Sequence, residues 1–543
     1  MSIKFSLLDC TLRDGAYING SIFGDSVISG LIEKIQNSGI EYVECGWLKD
    51  NLRKPGSTYF MVPRDAKEFL KHKRIGTTYV AMIDYNRYET DKLEKNDGHS
   101  FDAVRVVFPR GKVKEGISKA QEIREKGYRV FIQAANTLGY SDDELEELIS
   151  AANRFKPEAL SIVDTFGAMY SEDLLHIVKK LDNGLDPEIK LGFHSHNNQQ
   201  LSFALSICFI KSLINSNRKE VIIDSSLGGM GRGAGNTTTE LITSYFDRKN
   251  LGNYDLNCIM DALDMYIDPL KKKFEWGYST SFFIAGLYQC HVNNIAYLRE
   301  QHRTTAHDMR SIISSLNSEE RRHYDYDLLE KRYFENQSRE FDDSDNLAKL
   351  NNQIKEKNIL ILAPGTSIQK FSGKILNFIK SFNPVVIGVN AISNLYKYDY
   401  LFFSNKNRYD YALNYNSSIF NSSSRLVLSN MKELAGPKDL VFNYNNVVKR
   451  GWVHFDNAVL LLLRLLSKLE VSRIFIAGFD GFTGNLANDY LDRKLPPVLG
   501  VKSYSDLNSE ILDMFRDFRK SVYPRVRIEF LTNSYFDEKK DEN

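Results

Sequence analysis

The chain has 543 residues, of which 42 % are hydrophobic and 26 % charged, values of a folded globular protein rather than a disordered one. Lysine and arginine total 71 against 70 acidic residues, so there is no overall field to hold nucleic acid or an anionic membrane surface. No apolar run approaches the roughly 20 residues that span a bilayer, and the greasiest, Val459 to Leu463, is broken at once by Arg464.

The length suggests roughly two to four domains. The N-terminus lacks a basic segment followed by an apolar core, which predicts no signal peptide and a cytoplasmic protein. The five cysteines (Cys10, Cys45, Cys208, Cys258, Cys290) form no CxxC pair, which predicts reduced thiols and no structural zinc.

Eight short, largely apolar runs punctuate the first 230 or so residues: Phe5–Thr11, Ile40–Gly46, Thr77–Ile83, Ala103–Phe108, Arg129–Ala135, Ala159–Thr165, Lys190–His196 and Glu220–Leu227. Each reads as a strand covered on both faces. Helical segments such as Asp25–Ser38 and Asp142–Phe155 alternate with them, the second opened by Ser141 with Glu144 three residues on, a capping box. Eight strand–helix units over about 250 residues predict a (β/α)8 barrel in residues 1–255. The competing reading, a doubly wound open sheet, would place a glycine-rich loop after the first strand, where this chain has Arg13-Asp14-Gly15.

Residues 256–341 turn helical, with no strand runs, and Trp276 to Arg299 mixes aromatics with His291, Asn293 and Asn294. A polar stretch across 342–357 has the composition of a linker or a solvated helix. From 358 to 535 a second α/β pattern predicts a Rossmann-like open sheet. Its strands are Ile359–Leu362, Val385–Val389, Tyr400–Ser404, Leu426–Leu428, Arg473–Ala477 and Arg527–Leu531, with an apolar helix at Asn457 to Leu469.

Three segments fall at the carboxyl ends of predicted barrel strands, where barrel enzymes place their chemistry. They are Asp9-Cys10-Thr11-Leu12-Arg13-Asp14-Gly15, Gly192-Phe193-His194-Ser195-His196-Asn197-Asn198, and Gly228 to Asn236. A strand has period two, so His194 and His196 face the same way. The first strand lies close to the seventh in a closed barrel, so Asp14 reaches the same point. Two imidazoles and a carboxylate make a metal site with open positions, suited to Mn²⁺, Mg²⁺, Fe²⁺ or Zn²⁺. Taken singly, the His-x-His is equally a pair of buried or capping histidines, and Arg13-Asp14 a structural ion pair. A divalent ion here would chelate a 2-oxo acid and stabilise its enolate, with Arg13 donating to the same oxygen. The glycine-rich segment lets backbone approach the substrate, or is simply a flexible loop.

Asp9-x-Thr11-Leu12-Arg13-Asp14-Gly15, His194-Ser195-His196-Asn197-Asn198 and Gly231-x-Gly233-x-Gly235-Asn236 resemble the signatures of the metal-dependent aldolase superfamily. That superfamily includes 4-hydroxy-2-oxovalerate aldolase, hydroxymethylglutaryl-CoA lyase and isopropylmalate synthase. The resemblance is greatest to the first of these, and Asp164-Thr165-Phe166-Gly167 also resembles one of its segments. It implies a divalent cation (Mn²⁺ or Mg²⁺ foremost) on Asp14, His194 and His196. It further implies enolate stabilisation by Arg13, substrate contacts from Thr165 and Asn236, and assembly as a homo-oligomer. The implied reaction is reversible cleavage of a 4-hydroxy-2-oxo acid to pyruvate and an aldehyde. The chain departs from the pattern in one respect. The histidine expected as base a few residues after Arg-Asp-Gly is absent from Ala16-Tyr17-Ile18-Asn19, which leaves Tyr17 for that role. In the family the helical region can dock an aldehyde dehydrogenase, whereas this chain continues into another domain.

Ala363-Pro364-Gly365-Thr366-Ser367 and Gly478-Phe479-Asp480-Gly481 distantly resemble segments of bacterial sialyltransferase-like proteins of surface-polysaccharide synthesis. That resemblance implies a nucleotide or nucleotide-sugar site at Gly365, Thr366 and Ser367, and with it an aldehyde derived from a sugar. The sequence thus predicts a metal-dependent lyase acting through a pyruvate enolate. A Claisen-type synthase using an acyl-CoA and a non-catalytic scaffold with a degenerate barrel are the rivals. A two-His-one-carboxylate iron oxygenase shares the ligand set, but the alternating helices argue against its usual β-barrel framework.

Overall fold

The eight predicted barrel strands are strands, and they close on themselves. In the computed structural model, which describes residues 3–301, 304–337, 341–484, 489–492 and 503–538, they are β1 (Lys4–Asp9), β2 (Tyr42–Leu48), β4 (Thr78–Asp84), β5 (Ala103–Pro109), β6 (Arg129–Ala135), β7 (Ala159–Asp164), β8 (Lys190–Ser195) and β9 (Glu220–Ser225). A two-residue strand, β3 (Tyr59–Phe60), adds to the end of β2. Every pairing in this sheet is parallel, and β1 bonds to both β9 and β2, which seals the cylinder. The fold is therefore the predicted (β/α)8 barrel. One face of each strand packs on the surrounding helices through residues such as Leu7, Val43, Val104, Ile132, Ile162 and Phe193, all buried.

The capping box is present as read. The backbone N–H of Glu144 donates to Ser141 Oγ at 3.3 Å, and that of Ser141 donates to Glu144 Oε2 at 2.7 Å. Two of the helix's orphan donors are thereby satisfied.

The chain divides into two units. One is Met1–Ile295 with Arg321–His323, and the other is Ala296–Glu320 with Tyr324–Asn543. Among the described residues no helix is long and apolar enough to cross a membrane. The second unit is built on a seven-stranded parallel sheet: β10 (Ile359–Leu362), β11 (Val385–Val389), β12 (Tyr400–Phe403), β13 (Ser424–Leu428), β14 (Asp439–Phe442), β15 (Arg473–Ala477) and β16 (Arg527–Phe530). Their order, β14-β13-β12-β11-β10-β15-β16, reverses between β10 and β15. That reversal is the topological switch point of an open α/β sheet. The strand β14 is absent from the sequence reading: it has four residues, two of them only half-buried, and sits at an edge after Pro437. The polar stretch at 342–357 contains a helix, Ser344–Ile354. Its Leu347, Leu350 and Ile354 share one face and pack into the core of the second unit.

Replacing Ser141 by Ala removes one reciprocal cap bond. The expected cost is about 1 kcal/mol, read as a lower urea midpoint for barrel unfolding; an unchanged midpoint would show that the cap contributes nothing.

Candidate metal centre

The barrel interior is built in two layers, and the period of the strands dictates both. Leu8, Tyr42, Val80, Ala103, Phe131, Ala159 and Ile222 point inward and form a separate apolar cluster. Two residues further along most of these strands, and so also inward, come Glu44, Arg105, Gln133, Ser161 and Asp224, with His194 of β8 against Asp224. A greasy plug thus carries a polar layer that faces the carboxyl-terminal mouth. On β2 the register slips between Glu44 and Gly46, a bulge of the kind that re-aims a side chain.

The polar layer is a continuous chain of buried ions. Arg13 Nε donates to Glu44 Oε2 at 2.6 Å, and Arg13 Nη1 to Asp14 Oδ1 at 2.6 Å. Arg105 bridges onward, its Nη1 lying 3.2 Å from Glu44 Oε2 and its Nη2 bonding Asp224. Asp224 Oδ2 in turn lies 3.0 Å from His194 Nδ1. Three carboxylates thus face two guanidiniums, which leaves one excess negative charge before any imidazole protonates. Glu44, Arg105 and Asp224 were not singled out from the sequence. Each is a lone charge embedded in a buried apolar strand at an inward position, and that placement is the signal that marks them.

At the mouth end Asp14, His194 and His196 each bring a ligand atom to within 4.8 Å of the others, and all three are buried. The two imidazole rings stand edge to face with centroids 5.0 Å apart. Asn236 Nδ2 donates to Asp14 Oδ2 at 2.6 Å and so holds that carboxylate in place. A Cβ on Gly231 would lie 2.4 Å from Asn236 Nδ2 and 2.8 Å from Asp14 Oδ2, so only glycine lets the loop rest against them. Burial disfavours the Asp14 charge, but Arg13, the two imidazoles and the Asn236 amide together hold its carboxyl well below the usual range. Burial, resisted by Asp14, pushes His196 down to about 3, which leaves its lone pair available at neutral pH. An ionised carboxylate, a neutral imidazole and a local excess of negative charge are what a divalent cation requires. Asp224 Oδ1 and the Asn236 carbonyl oxygen are buried without a hydrogen-bond partner in the same region. The donor set fits the cation.

The other predicted residues are placed as follows. Arg13 uses Nε and Nη1 on carboxylates, while its Nη2 makes no hydrogen bond among the described residues. Tyr17 lies at the rim, 41 % exposed, with its ring edge-on to Trp47. The surrounding protein pushes its hydroxyl up to about 12 by desolvation, against the pull of Arg232. A base at Tyr17 therefore requires the cation to reverse that shift. Thr165 Oγ1 accepts from the Asn136 backbone N–H at 2.6 Å. In the second unit Gly365 and Ser367 lie at the switch point. The Gly365 N–H donates to the Gly478 carbonyl at 2.8 Å, and the Ser367 N–H and hydroxyl donate to Asp480 at 2.9 and 2.5 Å. Thr366, between them, lines a cleft with Asp480 and Asp489.

Residues 104–265 match the HMGL-like family. The chain is 26 % identical over 265 residues to an oxaloacetate decarboxylase of Mycobacterium tuberculosis, covering 47 % of this chain and 74 % of that protein. It is 26 % identical over 273 residues to a 4-hydroxy-2-oxovalerate aldolase of Geobacillus genomosp. 3, covering 49 % and 77 %. The HMG-CoA lyase structure from Brucella melitensis superposes with a TM-score of 0.40 at 13 % identity, covering 50 % of this chain and all of that one. The family match falls within the barrel unit, and the relatives are proteins named as a decarboxylase and an aldolase.

Replacing Arg105 by Met leaves Glu44 and Asp224 buried without their shared cation. The expected loss is about 3–5 kcal/mol of barrel stability, measured by chemical denaturation; a change below about 1 kcal/mol would mean that the network carries little strain on removal.

Proposed function

We propose that the N-terminal unit makes and breaks a C–C bond adjacent to a 2-oxo acid, with pyruvate as the enolate partner and a 4-hydroxy-2-oxo acid as the adduct. The observation that carries this reading is the convergence of Asp14, His194 and His196 on one buried point above a net-negative network. Those three residues would hold a divalent cation, Mn²⁺ or Mg²⁺, which when bound supplies Lewis-acid stabilisation of an enolate oxygen. The unused Arg13 Nη2 donates to that same oxygen. In the cleavage direction a base takes the proton of the 4-hydroxyl, the C3–C4 bond breaks, the aldehyde leaves, and the bonding pair stays on pyruvate as its enolate. Protonation at C3 then releases pyruvate. Tyr17 is the residue at the mouth that we assign to the 4-hydroxyl. Asn236 fixes Asp14, and Thr165 lines the sixth barrel strand's end.

The enolate half has a direct assay. With pyruvate, Mn²⁺ and D₂O, the C3 protons exchange for deuterium, seen by NMR. Chelator stops the exchange and Mn²⁺ restores it. Asp14→Asn lowers it by roughly two orders of magnitude or more and abolishes the Mn²⁺-dependent rise in thermal midpoint. A wild-type chain that neither exchanges nor gains stability with metal would favour the scaffold reading, and thiol release from acetyl-CoA the Claisen one.

For the second unit the reading is a nucleotide-sugar site, supported by the switch point and by the cleft there that Asp480 and Asp489 line. The aldehyde would then be sugar-derived, and the adduct an acidic sugar of the type used in surface polysaccharides. Calorimetric titration of nucleotide sugars onto the full chain should give saturable binding that Asp489→Asn weakens by roughly tenfold or more. Absence of binding would remove this assignment and leave the barrel chemistry standing.

A further inference from the structure

The charged side chain in the glycine-rich loop is Arg232, and the chemistry so far gives it no task. The loop itself is fixed against the metal-binding group. Gly231 packs on Asp14 and Asn236, and Gly233, at φ +66°, has Asn198 Oδ1 2.7 Å from where a Cβ would stand. The Ala234 N–H donates to that same Asn198 oxygen at 2.8 Å. Arg232 therefore leaves a rigid backbone directly beside the cation site.

Its guanidinium has unusual company. It lies 5.1 Å from the centre of the Tyr17 ring, and its Nη2 stands 2.5 Å from His291 Nε2 and 3.3 Å from Nδ1. No carboxylate pairs with it among the described residues, whereas Arg13 and Arg105 are each tied to two. The Asn293 N–H also points at this ring, 3.2 Å from Nδ1. Burial and the neighbouring Arg232 push His291 down to about 2, so the ring stays neutral and brings no counter-charge to the guanidinium. An anion entering here would accept a charge-assisted hydrogen bond from Arg232.

We propose that Arg232, seated on Tyr17 and His291, binds an anionic group on the aldehyde half of the substrate, so that this barrel joins pyruvate to an aldehyde bearing a carboxylate or a phosphate. This inference rests on the proposed lyase reading. The cation, where bound, would hold pyruvate by chelation, with Arg13 Nη2 on the enolate oxygen, deep in the mouth. Arg232 instead stands with Tyr17 at the exposed rim. Tyr17 and Arg232 then frame the aldehyde between its reacting carbon and its charged end.

The test compares aldol addition of pyruvate, with Mn²⁺, to succinic semialdehyde, glyceraldehyde 3-phosphate and butanal. Wild type should favour at least one of the two anionic aldehydes over butanal by roughly tenfold or more in kcat/KM, and which of the two it favours tells carboxylate from phosphate. Arg232→Gln should erase that preference, with a loss of roughly ten- to a hundredfold on the anionic aldehyde relative to butanal, and Arg232→Lys should restore part of it. Equal losses on all three aldehydes, a change confined to the KM for pyruvate, or a wild type that prefers butanal would overturn the proposal. A wild type that fails to exchange pyruvate protons at all would remove the lyase reading first, and this inference with it.

Discussion

The barrel's chemistry depends on an imbalance of charge sealed inside it. Glu44, Asp14 and Asp224 are buried with only Arg13 and Arg105 to answer them. Buried ions are costly when unpaired, so a chain of shared contacts is the arrangement that tolerates them. Each arginine bridges two carboxylates, and each link holds the next in position. One end of that chain of contacts is Asp14, where it meets two imidazoles. A cation there would complete the network, and its binding free energy would add to the stability of the fold.

Much of this was legible from the chain. The eight strands, their alternation with helices and the capping box at Ser141 follow from local pattern, and so does the shared face of His194 and His196. The convergence of Asp14 on those histidines needed only the closure of the cylinder. Glu44, Arg105 and Asp224 were harder to read, because a single charge inside an apolar run is ordinarily taken as the exposed face of a strand. In a barrel no inward face is exposed, so the same pattern means a buried ion that must find a partner on another strand. The partner is distant in sequence: Arg105 and Asp224 are 119 residues apart.

Two further misses have simple causes. The strand Asp439–Phe442 carries too few residues for an alternation to show. The helix Ser344–Ile354 is polar in composition, and its apolar stripe of Leu347, Leu350 and Ile354 declares itself only when read at helical spacing. In the second unit the close approach of β10 and β15 explains two glycines of the motifs. A Cβ at Gly365 would lie 2.4 Å from the Gly478 carbonyl, and one at Gly478 only 2.2 Å from that of Ala363. These glycines let two strand ends touch, a task that composition alone does not separate from cradling a phosphate.

The loop from Gly228 to Asn236 shows how one segment serves two purposes. Gly231 is required because Asp14 and Asn236 leave no room for a side chain, and Met230 fills the space beside Gly15, where a Cβ would lie 2.9 Å from its sulfur. Gly231 is thus fixed by contact with Asp14 and with the amide that holds it. Arg232 is the next residue and is not consumed by that contact. Its guanidinium meets a ring from the first strand's loop and a histidine from the helical region beyond the barrel, the second of which lies outside the eight repeated units. On the proposed reading, the strands and loop backbone would hold the enolate half of the site while the one charged side chain of the loop would select what that enolate meets. On that reading the missing histidine after Arg-Asp-Gly and the presence of Arg232 belong together, because Tyr17, which would take the histidine's place, and Arg232 are in contact at the rim.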